Sequence, residues 1–259
     1  MHPIAIIIPF VMLAQDPAAP KQEESPALAI LKAADEATAK VISVRYQGHF
    51  EGTGAQAGRQ PVAHGTVTKG WASESDETMR IIGSGWFFVP SGAQGARTTP
   101  YKAMFDGRII RRLDPEKKVV YEGSDASVLG PVFRLDMFEY GHDTPFRDEL
   151  SGTVQIHEGR TLVGGIVCDV VYVEYGIEGA MPARWYFGAE DHLPRKVERL
   201  APVDGRAGAL VLTLTNLEVN FEVTEKDFEL TVPEGYTKAS SRSGGPTPTA
   251  EPRPIGRQS

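Results

Sequence analysis

The chain has 259 residues, enough for one large domain or two small ones. Its 41% hydrophobic and 24% charged residues are typical of a chain that builds a core. The formal net charge is −7, and residues 238–259 are net positive by 3, so residues 1–237 carry −10. Because phosphate binding needs a positive surface, this acidic body argues against nucleic acid as a partner.

The first residues predict export. Ile4 to Ala14 form an uncharged apolar run that is shorter than the roughly 20 residues of a membrane span. The run resembles the apolar part of a signal peptide with cleavage near Ala14 or Ala19. We therefore expect a signal peptide over 1–19 and a linker over 20–25; a buried strand or a cytosolic start is the alternative.

The single cysteine, Cys168, cannot form an internal disulfide. Export would therefore lead to a compartment where stability does not depend on disulfides, and the bacterial periplasm fits that requirement. Cys168 lies in an apolar run, which predicts a buried and inert thiol.

Ser25 and Pro26 predict the start of a helix, as N-cap and first-turn proline. Apolar or small residues then recur at helical spacing, which predicts an amphipathic helix of roughly four turns. These residues are Leu28, Leu31, Ala34, Thr38 and Val41.

Turn sequences such as Asp106-Gly107 and Gly164-Gly165 recur every 8 to 15 residues or so beyond the helix. The runs between them predict an antiparallel meander, since parallel strands would need helical crossovers that the sequence does not contain. The predicted strand runs are 41–50, 78–89, 101–105, 108–113, 117–121, 161–175, 183–187, 195–200 and 210–223.

The last of these runs changes its apolar face. Leu210, Leu212 and Leu214 are on even positions, whereas the apolar residues from Leu217 onward are on odd positions. A strand changes its buried face only through an extra residue, so we predict a bulge near Thr215 and Asn216.

Residues 125–140 interrupt the strand pattern. Asp125 or Ser127 can cap a helix, and Pro131 should interrupt or restart it. Phe133, Met137 and Phe138 predict an apolar stripe that either packs on the core or serves as a movable lid. Residues 239–259 are rich in Ser, Gly, Pro and Thr, which predicts a disordered tail.

The sequence contains few signs of catalysis or metal binding. None of the six histidines stands at a spacing typical of a zinc site. The chain has no Gly-x-Ser-x-Gly motif, and Gly83-Ser84-Gly85 lacks the lysine of a phosphate loop. We therefore predict no metal, no cofactor and no enzymatic activity.

Two aromatic triplets, Trp86-Phe87-Phe88 and Trp185-Tyr186-Phe187, place large side chains on both faces of their strands. A sheet that is apolar on both faces needs two cores, a helical cover or an apolar ligand. A two-sheet sandwich is the alternative.

Several short motifs occur in an order that resembles the LolA-like superfamily. Residues 105–116 read as a hairpin with Asp106-Gly107 and Asp114-Pro115 turns, and residues 227–236 read DFELTVPEGY. Gly164-Gly165-x-x-Cys168-Asp169-Val170 and His192-Leu193-Pro194-Arg195 are similar to an uncharacterised periplasmic branch of that superfamily.

The resemblance covers about residues 26–238 and implies an α+β fold. A curved antiparallel sheet, an incomplete β-barrel, would wrap around an N-terminal helix and a helical insert. In lipoprotein carriers of this superfamily an Arg-Pro pair follows the second strand and helps latch the lid. Here that place reads Thr68-Lys69-Gly70-Trp71.

Three hypotheses of function follow. The first is a monomeric periplasmic carrier or binding protein for lipid, lipoprotein acyl chains or another apolar ligand, and a contiguous apolar cavity would favour it. The second is an envelope regulatory or scaffold protein that binds a protein partner, favoured by an exposed apolar patch over a filled barrel. The third is an enzyme, favoured by polar groups with shifted pKa values in a cleft.

The candidate ligand-binding residues are the large apolar side chains of the aromatic triplets, of one central strand and of the helical insert. They are Trp86, Phe88, Met104, Phe133, Met137, Trp185 and Phe187.

Overall fold

The structure is a computed structural model that describes residues 25–72, 76–90 and 97–240. The predicted signal peptide and residues 241–259 of the predicted tail lie outside the described residues. Among the helices of the described part, none has the length and apolarity that crossing a membrane requires.

Twelve strands and three α-helices make up the described fold. The helices are α1 (Pro26–Ala39), α2 (Pro131–Leu135) and α3 (Arg147–Leu150), with 3₁₀ turns at Ala126–Leu129 and Glu225–Phe228. The first six strands are β1 (Ser43–Gly54), β2 (Val62–Gly70), β3 (Arg80–Val89), β4 (Arg97–Phe105), β5 (Ile110–Asp114) and β6 (Val119–Gly123). The other six are β7 (Val154–Val163), β8 (Ile166–Glu174), β9 (Ala183–Gly188), β10 (Pro194–Leu200), β11 (Gly208–Val219) and β12 (Thr237–Ser240).

The predicted N-terminal helix is confirmed. The Ser25 hydroxyl accepts a hydrogen bond from the Leu28 amide at 3.2 Å, and Pro26 occupies the first turn, where a missing amide hydrogen costs nothing. Its buried residues follow the helical period, which places one face of α1 against the sheet. They are Ala27, Leu31, Ala34 and Thr38.

All twelve strands form one open sheet. Its order is β12-β6-β5-β4-β3-β2-β1-β11-β10-β9-β8-β7, so two meanders meet where β1 pairs with β11. Every pairing is antiparallel except that of β12 with β6. The predicted α+β fold, with a curved antiparallel sheet around helices, is confirmed.

The helices cover one face of the sheet, called here the inner face. Tyr46, Val67 and Leu214 point to this face and are buried. Helix α2 lies so close to the strands that a Cβ added at Gly83 would stand 2.8 Å from Val132. Glycine at this position therefore allows the helix to approach the sheet backbone.

The predicted bulge is confirmed in β11. The pairing of β1 with β11 shifts by one residue between Arg45, opposite Glu218, and Gln47, opposite Thr215. Asn216 lies in the extra position with φ of +51°. The bulge lets Leu214 before it and Leu217 after it both pack on the inner core.

Some boundaries differ from the predicted ones. Strand β2 was not predicted, because its sequence VAHGTVTKG is rich in small and polar residues and its burial comes from its central place in the sheet. Strand β12 ends at Ser240 and so includes the first two residues of the predicted tail. The insert restarts at Pro131 as predicted, but α2 already ends at Leu135.

The bulge yields a prediction about Asn216. Its positive φ suits Asn and Gly and strains a β-branched residue, so Asn216→Val should lower the free energy of unfolding by roughly 1–2 kcal/mol. Asn216→Gly is the matched control and should change it by less than about 0.5 kcal/mol. Urea denaturation measures both, and equal stability of the two variants would contradict the assignment of strain to this position.

Candidate ligand-binding cavity

A buried lysine holds the helical insert against the inner face. Lys69 lies on the same side of β2 as Ala63 and Val67 and is 5% exposed. Its ammonium nitrogen is 2.8 Å from a carboxylate oxygen of Asp136 and donates to the carbonyl oxygens of Met137 at 3.1 Å and Tyr140 at 2.8 Å. One cation thus binds three groups of a single short segment.

Tyr46 of the neighbouring strand fixes the same segment. Its hydroxyl donates to the Leu135 carbonyl at 2.9 Å and accepts from the Met137 amide at 3.0 Å. Complete burial raises the pKa of this phenol well above its usual value, and Asp136 raises it further, so it stays protonated as a donor. Residues 135–140 are therefore held through their backbone.

Aromatic rings fill the inner face at strand β9. Phe146 stands edge-on to Trp185 and Phe187, with ring centroids 5.1 Å and 5.0 Å away. All three side chains are fully buried. The Phe146 amide also donates to Asp35 of α1 at 2.8 Å, which ties the segment before α3 to the N-terminal helix.

A cavity of about 540 Å³ opens beside this packed region. Its walls come from the end of the insert, from the segment leading into α3, from the loop after β8 and from β10. Its apolar rim includes Phe138, Ile177 and Met181, whose exposed fractions are 42%, 64% and 39%. Exposed apolar side chains around a concave surface are a common feature of ligand sites.

The floor of the cavity is polar. The Tyr175 hydroxyl donates to Glu149 at 2.7 Å and accepts from the Trp185 indole nitrogen at 3.3 Å. Arg199 of β10 stands 3.6 Å from Glu139, and its guanidinium lies 5.6 Å from the Trp185 ring centroid. Two carboxylates and one guanidinium thus lie together below the apolar part of the rim.

Burial shifts the protonation of these carboxylates. It raises the pKa of Glu139 from 4.5 to about 7, although Arg199 favours the ionised form. Burial also raises the pKa of Glu149, against the hydrogen bond from Tyr175. The charge of Glu149 further raises the pKa of Glu139, and the charge of Asp148 further raises that of Glu149.

The seven predicted site residues lie in different parts of the fold, and none lines this cavity. Trp185 and Phe187 are in the packed inner core, and Met137 is buried where the insert meets the sheet. Phe133 is exposed on α2, with its ring 5.0 Å from that of the rim residue Phe138.

The other three point to the outer face. Trp86 is exposed and stacks on His64 with ring centroids 5.5 Å apart, and Phe88 lies two residues further along the same side of β3. Met104 is buried and lines a second cavity of about 340 Å³ together with Phe228.

Sequence reasoning missed the residues that form the floor, which are Glu139, Glu149, Tyr175 and Arg199. Nothing local marks them, because they come from four separate segments. Lys69 could have been recognised from the sequence, because it lies on the same side of its strand as the apolar residues Ala63 and Val67. A charge on an apolar side of a strand needs a buried partner.

The described residues include no group of three or more His, Cys, Asp or Glu side chains that could hold a metal ion. Cys168 is buried, as predicted, and burial raises the pKa of its thiol.

The lysine contacts predict a large effect of breaking the ion pair. Lys69→Met leaves the Asp136 carboxylate buried without its cation, so we expect the free energy of unfolding to fall by about 3–5 kcal/mol. The double variant Lys69→Met/Asp136→Asn removes the orphaned charge and should recover at least about 1 kcal/mol. Chemical denaturation measures this, and a double variant no more stable than Lys69→Met would contradict the pairing.

The buried carboxylate predicts a pH-dependent stability. Because the folded pKa of Glu139 is about 7 and its ordinary value is 4.5, the folded state binds the proton more tightly than the unfolded state. The free energy of unfolding should therefore fall as pH rises from 4.5 to 7.

The matched variants are Glu139→Gln and Glu178→Gln. Glu139→Gln should remove the Glu139 part of this slope and exceed the wild type at pH 8 by up to about 3 kcal/mol. The exposed control Glu178→Gln should keep the wild-type slope. Denaturant titrations at pH 5 and pH 8 compare them, and an unchanged slope in Glu139→Gln would contradict the assignment.

Comparisons with known proteins concern the fold. No protein-family model matches the chain, and no curated protein matches it. Similar solved structures include the MucA/MucB complex of Pseudomonas aeruginosa, LprF from Mycobacterium bovis and a LolA superfamily protein from Nitrosomonas europaea.

Identity to these structures is 17%, 11% and 10%, and the TM-scores are 0.42, 0.48 and 0.32. The matches cover 80%, 82% and 80% of this chain. They span 62%, 99% and 99% of the other chains, so less than two thirds of the matched chain of the MucA/MucB complex is covered. These likenesses concern the fold alone, and one of the matched structures is a LolA superfamily protein.

Proposed function

We propose that the chain is a binding protein or carrier for a lipid, an acyl chain or another apolar ligand, and that the ligand binds in the 540 Å³ cavity. The observation that carries this proposal is the exposed apolar rim formed by Phe138, Ile177 and Met181. Their apolar surface is in contact with water in the free protein and would be buried by an apolar ligand, which is favourable.

The cavity has a suitable size and position. Its volume lies within the roughly 300–1,000 Å³ of small-molecule sites. The interior behind the cavity is filled by Phe146, Trp185 and Phe187. In this conformation the ligand would therefore bind in the cavity itself and not deeper between the helices and the sheet. Phe133 remains a proposed ligand contact, because its ring touches the rim residue Phe138.

Export to the periplasm belongs to the same proposal. It is supported by the apolar run from Ile4 to Ala14 and by a core that depends on no disulfide.

Binding of an envelope protein partner is the second candidate. It is favoured by the filled interior at Phe146, Trp185 and Phe187 and by exposed apolar side chains around the β7–β8 turn. At this turn Leu162 is 67% exposed, and Ile166 and Val167 are each 48% exposed. Exposed apolar surface of this kind is common at protein interfaces. Because β7 is an edge strand of the sheet, this turn is accessible to a partner.

The raised pKa of Glu139 in a cleft is also the sign that would favour an enzyme. We assign Glu139 and Glu149 to binding instead. Tyr175 and Arg199 already contact the two carboxylates, and part of the rim is apolar, so the cavity has the composition of an amphipathic binding site.

A matched pair of variants tests the apolar ligand. Ile177→Asp and Leu162→Asp each place a carboxylate at a side chain that is about two-thirds exposed, so both should stay folded. Only Ile177 lines the cavity. We expect Ile177→Asp to weaken binding of the neutral fluorescent probe N-phenyl-1-naphthylamine by at least about tenfold, since a charge in the rim opposes apolar contact.

Fluorescence titration measures the probe affinity, with circular dichroism as the check of folding. Leu162→Asp should bind the probe as the wild type does. Equal binding by wild type and Ile177→Asp would reject the cavity as the apolar site. Weakening by Leu162→Asp alone would place the binding at the β7–β8 turn.

A further inference from the structure

The carboxylates at the floor of the cavity are only partly neutralised. Glu149 is 6% exposed, and the Glu139 side chain is 12% exposed. Arg199, whose side chain is 37% exposed, faces both carboxylates, and its guanidinium lies 3.6 Å from Glu139, beyond the 2.7–2.9 Å of a strong charged hydrogen bond. When both carboxylates are ionised, the floor carries one more negative than positive charge.

The other ionisable groups around the cavity do not correct this imbalance. Lys69 also favours the ionised form of Glu139, but its charge is balanced by that of Asp136. Arg147 and Asp148 are exposed on α3 and have opposite charges, and His142 is exposed on the segment before it. Tyr175 contributes a neutral donor to Glu149. Exposed charges are screened by water and salt, whereas the buried carboxylates are screened much less.

We propose that the cavity binds amphiphiles whose head is a primary ammonium group, with the ammonium between Glu139 and Glu149 and the apolar chain along Phe138, Ile177 and Met181. This inference rests on the proposed function and names the chemical class of its ligand. An ammonium has three N–H donors, and ionised carboxylates only accept hydrogen bonds. Glu139 and Glu149 share Arg199 as their cation, so their oxygens can accept hydrogen bonds from the ammonium of the ligand.

The two carboxylates of the cavity floor disfavour amphiphiles with other head groups. A fatty-acid carboxylate would place a third negative charge beside these two. A quaternary ammonium carries the positive charge but has no N–H to donate. We therefore expect the order of affinity primary ammonium, then quaternary ammonium, then neutral head, then carboxylate.

Binding of the ammonium is linked to a proton. Glu139, with a pKa of about 7 in the free protein, must be ionised to pair with the ligand. A bound cation favours the ionised form and lowers that pKa. The affinity should accordingly rise as pH increases from 6 to 8, while an alkylammonium with a lysine-like pKa near 10.4 stays protonated throughout.

Isothermal titration calorimetry of the full chain tests this with single-chain ligands below their micelle concentrations. At pH 8 we expect dodecylammonium to bind at least about tenfold more tightly than dodecyl maltoside, and this preference to shrink at pH 6. Glu139→Gln should lose most of the preference at pH 8. Glu158→Gln, which removes a surface carboxylate paired with Arg184, is the control and should keep it.

The outcomes separate the two proposals. Equal affinity for dodecylammonium and dodecyl maltoside in the wild type would overturn the ammonium inference and leave the apolar function standing. Binding of neither ligand would reject both. Because the pH comparison uses the wild-type chain, the test holds even where Glu139→Gln fails to fold, and an affinity for dodecylammonium that is the same at pH 6 and pH 8 would overturn the role of Glu139.

Discussion

The buried ammonium of Lys69 is the interaction on which the arrangement of the inner face depends. A charge on an apolar face costs several kcal/mol unless it is paired and hydrogen-bonded. The insert supplies the Asp136 carboxylate and two carbonyl oxygens within five residues, so it fits this one site on the sheet. Helix α2 has only five residues, too few to be stable by itself, so the conformation of the insert is imposed by the sheet.

This attachment also shapes the cavity. Met137 and Tyr140 are held inward, and the two residues between them, Phe138 and Glu139, line the cavity. One backbone constraint thus places an apolar ring at the rim and a carboxylate at the floor. Strand pairing adds Arg199, which is why the carboxylate meets a cation. The amphipathic character of the cavity is a consequence of how the insert is anchored.

The floor disfavours its own ionised state. Burial of Glu139 and Glu149 costs stability at neutral pH, and a sequence selected for stability alone would place neutral side chains there. Trp185, a candidate ligand contact by sequence, has a supporting role in the fold, because its indole orients the Tyr175 hydroxyl that donates to Glu149. The aromatic residues of the second triplet therefore form part of the core and also support the cavity floor.

The sequence by itself determined the local features. Ser25 and Pro26 defined the start of α1, the change of apolar side after Leu214 required the bulge at Asn216, and the turn spacing gave the meander. Only the tertiary structure decided which side chains meet. Trp86 and Trp185 occur in similar apolar triplets, yet one points outward and the other inward, because the facing of a strand depends on its pairing with partners far along the chain. Glu139 and Arg199 are brought together in the same way, by the anchored insert and the register of β10, neither of which a local sequence pattern encodes.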